Sequence, residues 1–472
     1  MRSRLCFLVL LLVPLLVYGP ALLQEFGTPE DFLRLTGLGQ TEVGEAVGQQ
    51  GILHGALLEI SFGAVEEVMA FGVIRGISLL LIMLCGLALW QLLHRGGWSE
   101  LDATLVALGV GALPTAQLLA GWGAGWPAAL AALLALAGFA AVESELELGG
   151  GRRRVAMLGG VLLYFAAAMC YLPTAAMALV PLAALTFTRP LRLEMETKKW
   201  FSLHVVLLFA AVFAARLLKG WMMTHTGMTD ETTLAGRIID LFTVAVPSAG
   251  ALFWVNTTPA LRVLGGGVGL ALIAGVVVAA RRQTATDERI ATRWWLALAG
   301  GMGAFSMVAL LTMNWRAGYH SLWPASGILV VAVMFSLRGL EMNPKRRWKW
   351  PRLATLALIA TGLGLAYWQT DRLVAAPLAA EWQEMRTKVL RANFPLDARV
   401  QLVVAHTDRS TLIPRATFSP RVFQHAEATR RMFAAALRER FLSGMPKGQR
   451  SSVVVIEGDQ PLEAGVVRID LR

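Results

Sequence analysis

Charge is scarce in this sequence. Of its 472 residues only 16% are Asp, Glu, Lys or Arg and 56% are hydrophobic, whereas soluble domains carry roughly a quarter charged residues. So little charge cannot coat a soluble surface of this size, and most of the exterior must face lipid. Cysteine is nearly absent: Cys6, Cys85 and Cys170 all fall inside apolar stretches, which leaves no disulfide framework and makes them small packing residues. The signatures of soluble enzymes are missing too, with no Walker lysine after a glycine loop, no HExxH and no CxxC. Their absence argues against ATP-driven transport by this chain alone. The run Gly265 to Gly269 opens an apolar block and reads as helix packing, not as a phosphate loop.

Apolar blocks are what the chain has in abundance. They run approximately 5–23, 70–93, 103–120, 126–142, 155–170, 172–187, 201–218, 263–280, 294–313, 319–337 and 353–368, each about the length that crosses a hydrocarbon core. The expected architecture is an all-α polytopic membrane protein with about eleven transmembrane helices. Met1 to Arg4 followed by an apolar run resembles a signal sequence, yet Val17 to Pro20 is a poor cleavage site, so the run is kept as the first helix.

The formal net charge of +11 does not point to nucleic acid, because the basic residues form short clusters between apolar blocks. Arg95, Arg152 to Arg154, Lys198-Lys199, Arg281-Arg282 and Lys345 to Arg347 all become cytoplasmic, together with the N-terminus, if the chain makes eleven crossings. A further apolar stretch, 239–255, would break that agreement if it crossed. It carries Pro247, Ser248 and Gly250 at its centre and is expected to be re-entrant or to lie on the outer face.

Two outer segments follow. The loop 24–69 is acidic, with Glu25, Glu30, Asp31, Glu42, Glu45, Glu59, Glu66 and Glu67 against Arg34 alone. The tail has strand-like runs at 401–404, 452–456 and 465–470 and helical periodicity over 421–441, giving a small C-terminal α/β domain outside the membrane. The expected division is therefore a transmembrane domain over 1–370 and an extracytoplasmic domain over 371–472. No internal repeat is evident.

The first candidate for chemistry is Pro29 to Arg34 on the first outer loop. Adjacent Glu30 and Asp31 can serve as a general base, one taking a proton while the other holds it or a divalent metal. Thr28-Pro29-Glu30-Asp31 is equally good helix N-terminal sequence. Arg75, near the outer end of the second block, either anchors its helix at the interface or meets a lipid phosphate. Arg316 and His320, in the turn before Tyr319 to Leu337, and Arg216 with Lys219, at the end of another block, are further cations on that face, as interfacial anchors or as an anion-binding set. Trp221, Trp254, Trp315 and Trp323 fit an aromatic belt, and His54, His225, His406 and His425 do not pair at metal-ligand spacing.

In layout the chain resembles the GT-C class of membrane glycosyltransferases, specifically the bacterial O-antigen-type glucosyltransferases. The resemblance rests on Glu30-Asp31-Phe32-Leu33-Arg34 on the first outer loop, on Gly72 to Arg75 opening the second span, and on Tyr171-Leu172-Pro173-Thr174 entering a middle span. Leu172 stands where the family has glutamine, Glu30 where it has a first aspartate, and two residues separate Gly72 from Arg75. The resemblance implies a multi-pass protein of the bacterial inner membrane that takes a sugar from a polyprenyl phosphate and gives it to a glycan or lipid acceptor outside, with inversion. It further implies Asp31 as base with Glu30 assisting, Arg75, Arg316, Arg216 and His320 around the donor phosphate, and Arg34 and Tyr171 in acceptor or supporting roles. No cofactor is required, and a divalent cation is left open. The rival readings are a flippase or other carrier of lipid-linked glycan and a non-catalytic membrane subunit; a carrier needs charges inside its spans, and here they gather at the outer ends.

Overall fold

The structure is a computed structural model that describes residues 2–35, 52–65, 67–147, 152–188, 195–226, 234–255, 260–261, 263–268, 270–271, 274, 300–303, 319–341, 350–391, 399–404, 422–424, 426–440, 453–457 and 466–471. Its helices are, in order, α1 (Arg2–Val17), α2 (Gly19–Leu23), α3 (Pro29–Leu33), α4 (Ile52–Gly63), α5 (Ala70–Arg95), α6 (Glu100–Gly111), α7 (Pro114–Gly121) and α8 (Trp126–Glu147). They continue as α9 (Arg152–Cys170), α10 (Leu172–Ala175), α11 (Leu179–Thr188), α12 (Met195–Thr226), α13 (Leu234–Asp240) and α14 (Val246–Gly250). After these come α15 (Trp323–Glu341), α16 (Trp350–Gln369) and α17 (Ala376–Arg391), then β1 (Arg399–Val404), α18 (Ala426–Arg440), β2 (Val453–Glu457) and β3 (Val466–Leu471).

Four helical stretches among the described residues are long and apolar enough to cross a membrane: Ala70–Arg95, Gly123–Ser144, Lys199–Trp221 and Pro351–Arg391. The pair α6 and α7, bent by 58°, makes a fifth when taken as one span, and shorter apolar helices lie at Ser3–Val17, Ile52–Gly63, Val155–Cys170, Leu172–Thr186 and Trp323–Leu337. The chain is thus a multi-pass helical membrane protein. The expected span 294–313, apart from 300–303, and half of 263–280 lie outside the described residues, as do Arg281-Arg282 and Lys345 to Arg347.

Proline sets the breaks. Pro114 opens α7, and Leu113 before it is extended at φ −63 and ψ 151, since a residue preceding proline is pushed out of the helical region. Tyr171, extended at φ −162 and ψ 105, separates α9 from α10, whose second residue is Pro173. In two longer helical runs the backbone widens ahead of a proline, whereas Pro14 is carried inside α1. A π turn at Leu241–Ala245 precedes Pro247, and another at Thr370–Ala375 precedes Pro377. The wider turn accommodates both the missing N–H and the pyrrolidine ring. The stretch expected to be broken at 239–255 holds the first of these turns and ends in a reversal with Leu252 at φ 54. Gln369 secures that reversal, its Oε1 accepting from the Val255 N–H at 2.9 Å and its Nε2 donating to the Phe253 carbonyl at 3.0 Å.

The core runs from α1 through α5–α9 to α15 and α16. Between α8 and α9 the backbones nearly touch: a Cβ on Gly160 would come within 2.6 Å of Val142, and one on Gly138 within 2.8 Å of Tyr164. Small residues at such a crossing let van der Waals packing do what the hydrophobic effect cannot do in lipid. Helix α12 is pinned to this pair by Glu143, which accepts from Trp200 Nε1 at 2.8 Å and pairs with His204 Nε2 at 3.1 Å.

Three strands at the C-terminal end pair in parallel in the order β2-β1-β3, Val400 facing Val453 and Val467. They lie on the apolar runs noted in the sequence. Residue 371, the expected domain boundary, falls within the continuous helical run 350–391. Helices α17 and α18 pack against each other, and α18 packs on α3. The first loop and the C-terminal helices therefore occupy the same end of the bundle.

Candidate functional site

The breaks supply the site. Thr28, Trp122 and Tyr171 each have extended backbones at a helix terminus, so they are not committed to helical packing on their own elements.

Thr28 caps α3 in a reciprocal box: its Oγ1 accepts from the Asp31 N–H at 3.2 Å and Asp31 Oδ2 accepts from the Thr28 N–H at 2.9 Å. The same carboxylate accepts from the backbone N–H of Ala124 at 2.9 Å and of Gly123 at 3.4 Å. Asp31 is completely buried. These hydrogen bonds in a solvent-free place make it a staple between the first loop and the turn 122–125, at the position where a catalytic base is expected from the sequence. Gly123 belongs to the staple, because a Cβ there would lie 2.9 Å from Asp31 Oδ1. Gly123→Ala is expected to cost about 1–3 kcal/mol as an overpacking change, read as a lowered Tm of the purified protein.

Arg75 lies beneath the same loop and is 1% exposed. Nε donates to the Ala21 carbonyl at 2.7 Å, Nη1 to Phe26 at 2.5 Å and Nη2 to Gln24 at 2.9 Å, with Cζ 3.8 Å from the centre of the Phe26 ring. Asp31 is its nearby countercharge. Its guanidinium gathers the chain between α2 and α3, all three nitrogens donating to carbonyls there and not to the donor phosphate expected from the sequence.

Glu30 is different. Its side chain is 36% exposed, against 13% for Arg34, whose Nη1 contacts Glu30 Oε2 at 3.4 Å and donates to the Glu30 carbonyl at 3.2 Å. The Tyr171 hydroxyl lies within electrostatic reach of Glu30. Around Tyr171 runs a chain of rings. His54 lies 5.9 Å from it on one side and His320 6.1 Å on the other, and His320 meets the edge of Trp122 at 6.1 Å. His320 is half-buried and Trp122 and Tyr171 are buried. The turn bearing His320 is held by Thr115, which donates to the Tyr319 carbonyl, and by Trp323, which donates to Val110 at 3.0 Å.

Burial pushes the His54 imidazole down to about 3, with Arg34 and Lys219 adding positive potential. A folded value below the unfolded one means that stability is full above about 6.5 and is lost as pH falls toward 3. His54→Phe is expected to flatten the fall in Tm between pH 6.5 and pH 4; an unchanged slope would show that another group carries it. Lys219 therefore lies near this cluster, and Arg216, one turn earlier on α12, shares its side of the helix. Arg316 lies outside the described residues, as do His406 and His425.

No family model matches the sequence, and no curated protein matches it either. Solved structures do resemble the fold. An Archaeoglobus fulgidus oligosaccharyltransferase, crystallised with Zn and sulfate, aligns at TM-score 0.43 and 13% identity over 85% of this chain and 60% of its own. ArnT from Cupriavidus metallidurans aligns at TM-score 0.33 and 13% identity over 92% of this chain and 88% of its own. The present chain thus spans less than two thirds of the archaeal protein.

Of the residues singled out in the sequence, Glu30, Arg34, Tyr171 and His320 converge, while Asp31 and Arg75 form the support under them. Trp122 and His54 belong to the cluster and had no claim from motif spacing. The signal for Trp122 was the run Gly121 to Gly125, a turn too glycine-rich for a plain helix connection. His54 has its partners more than a hundred residues away, beyond any local pattern. Among the described residues no group of three or more His, Cys, Asp or Glu is arranged to hold a metal.

Proposed function

We propose that this chain is a membrane glycosyltransferase of the GT-C class, moving a sugar from a polyprenyl-phosphate donor to a glycan or lipid acceptor at the outer face of a bacterial inner membrane. One observation carries the reading: a partly exposed carboxylate, Glu30, sits beside Arg34, Tyr171 and His320, brought from three separate segments to one end of the bundle. Only Glu30 of the acidic pair can reach a substrate, so the base role passes from Asp31 to Glu30.

An acceptor hydroxyl attacks the anomeric carbon and gives its proton to Glu30. The bond from that carbon to the phosphate oxygen breaks, polyprenyl phosphate departs with the electron pair, and the configuration inverts. Arg34 orients Glu30, while Arg216, Lys219 and Arg316 stabilise the negative charge that grows on the leaving oxygen. His320, a neutral donor, and Tyr171 line the acceptor side. Asp31 and Arg75 hold the loop in register. The N-terminus lies in the cytoplasm, and the tail, in contact with the first loop, lies outside with it as a C-terminal unit over 371–472; the broken segment 239–255 does not cross.

The test is sugar transfer by the purified protein in liposomes, using radiolabelled polyprenyl-phosphate glucose and membrane lipid or glycan acceptors. Time-dependent transfer that needs the protein supports the reading. Movement of labelled donor across the bilayer without transfer would replace it with a carrier.

A further inference from the structure

We infer that Arg386 and Trp382 of α17 are positioning residues for the site, clasping the helix that carries Glu30 through a charge cluster whose balance depends on pH. The inference rests on the glycosyltransferase reading only for its effect on catalysis; the clasp itself is a property of the fold.

Helix α3 is five residues long, too short to hold its own geometry in water. Its inner face is set by Asp31 and its capping box. Its other support comes from the far end of the sequence. Phe32, fully buried, packs on Trp382, also fully buried, with ring centres 6.0 Å apart, and α18 lies against α3. Nearby, Gln24 Nε2 donates to Asp371 Oδ1 at 3.0 Å. Glu30 projects from the same helix that Phe32 fastens, so any release of α17 and α18 frees the carboxylate.

Electrostatics limits the grip. Arg386 bridges two elements, its Nη1 3.5 Å from Glu25 Oε2 on the first loop and its Nε 2.9 Å from Glu439 Oε2 on α18. Glu67, from the segment before α5, also acts on Glu439. Among the described residues the charged groups acting on Glu439 are Arg386, Glu25 and Glu67. Burial, with Glu25 and Glu67, raises the Glu439 carboxyl above its ordinary value of 4.5 despite Arg386. A carboxylate raised in the docked state favours docking at low pH, and that contribution is lost as pH climbs through the raised value. The clasp tightens toward acidic pH and loosens toward alkaline pH.

Hydrogen exchange on the full-length protein in nanodiscs tests this, reading the protection of residues 376–391 and 426–440 relative to intrinsic rates at pH 5 and pH 8. Wild-type protection is expected to be lower at pH 8 than at pH 5, the direction set by burial of Glu439 beside Glu25 and Glu67. Glu439→Gln, an isosteric change, should remove that fall. Arg386→Ala should lower protection at both values, and Arg386→Lys should restore part of it. A wild-type fall that persists in Glu439→Gln, or full protection in Arg386→Ala, overturns the clasp. Where transfer is measurable, kcat should follow protection across pH while KM for the donor stays constant; KM moving instead overturns the positioning role. If no preparation transfers sugar, the functional reading fails while the exchange result still decides the clasp.

Discussion

Glu30→Gln is expected to lower sugar transfer by about 10²–10⁴-fold, the usual contribution of a positioned general base, while leaving Tm unchanged. The two halves of that result come from the same observation. Glu30 is more than a third exposed and contacts Arg34 at 3.4 Å, so its charge adds little to stability while its oxygens remain available to a substrate. Asp31→Asn gives the reverse pattern. Its amide nitrogen would face a set of N–H donors, those of Thr28, Gly123 and Ala124, turning at least one acceptor contact into a clash of donors. The cost is on the order of 1–3 kcal/mol for a buried group left unpaired, and transfer falls only as far as the loop is displaced. Full transfer in Glu30→Gln, alongside lost transfer and an unaltered Tm in Asp31→Asn, would return the base role to Asp31. Both variants are measured by initial rates at saturating donor and by thermal unfolding of the same preparations.

The second large effect is on stability. Arg75→Met is expected to destabilise the protein by roughly 3–5 kcal/mol, the cost of breaking a buried charge network by removing one partner. Methionine fills much of the volume but leaves the carbonyls of Ala21, Gln24 and Phe26 without their donors and Asp31 without its countercharge. Arg75→Lys recovers part of this, since an ammonium supplies charge and three donors but cannot span three carbonyls as a planar fork does. The readout is Tm, with proteolysis of the loop after α2 as a second measure. An Arg75→Met protein that melts with wild type but has lost donor affinity would restore the phosphate-binding role.

These two residues show where sequence and structure part. The acidic pair was visible as a pair, and its helix-cap reading is met by the box between Thr28 and Asp31. Which carboxylate is buried depended on the turn 122–125 closing over Asp31, about ninety residues along the chain. Arg75 stood at a costly depth, which marked it as engaged; that its partners were carbonyls of the preceding loop and not a ligand required the fold of that loop. Tyr171 drew notice through its position before Leu172-Pro173, and it is the extended N-cap of the short helix that Pro173 helps to open. His54 and Trp122 carried no pattern that distinguished them from a buried histidine and a boundary tryptophan.

The sequence by itself determined that the chain is a multi-pass helical membrane protein, because scarcity of charge and apolar blocks of spanning length are properties of composition and order alone. It also marked helix starts at Pro29 and Pro114, since proline removes a donor and constrains its predecessor. Only the tertiary structure decided which polar groups face a ligand and which are sealed inside, because burial is a property of contacts between distant segments. A carboxylate or a guanidinium looks the same in sequence whether its partner is a substrate or a backbone amide from another helix.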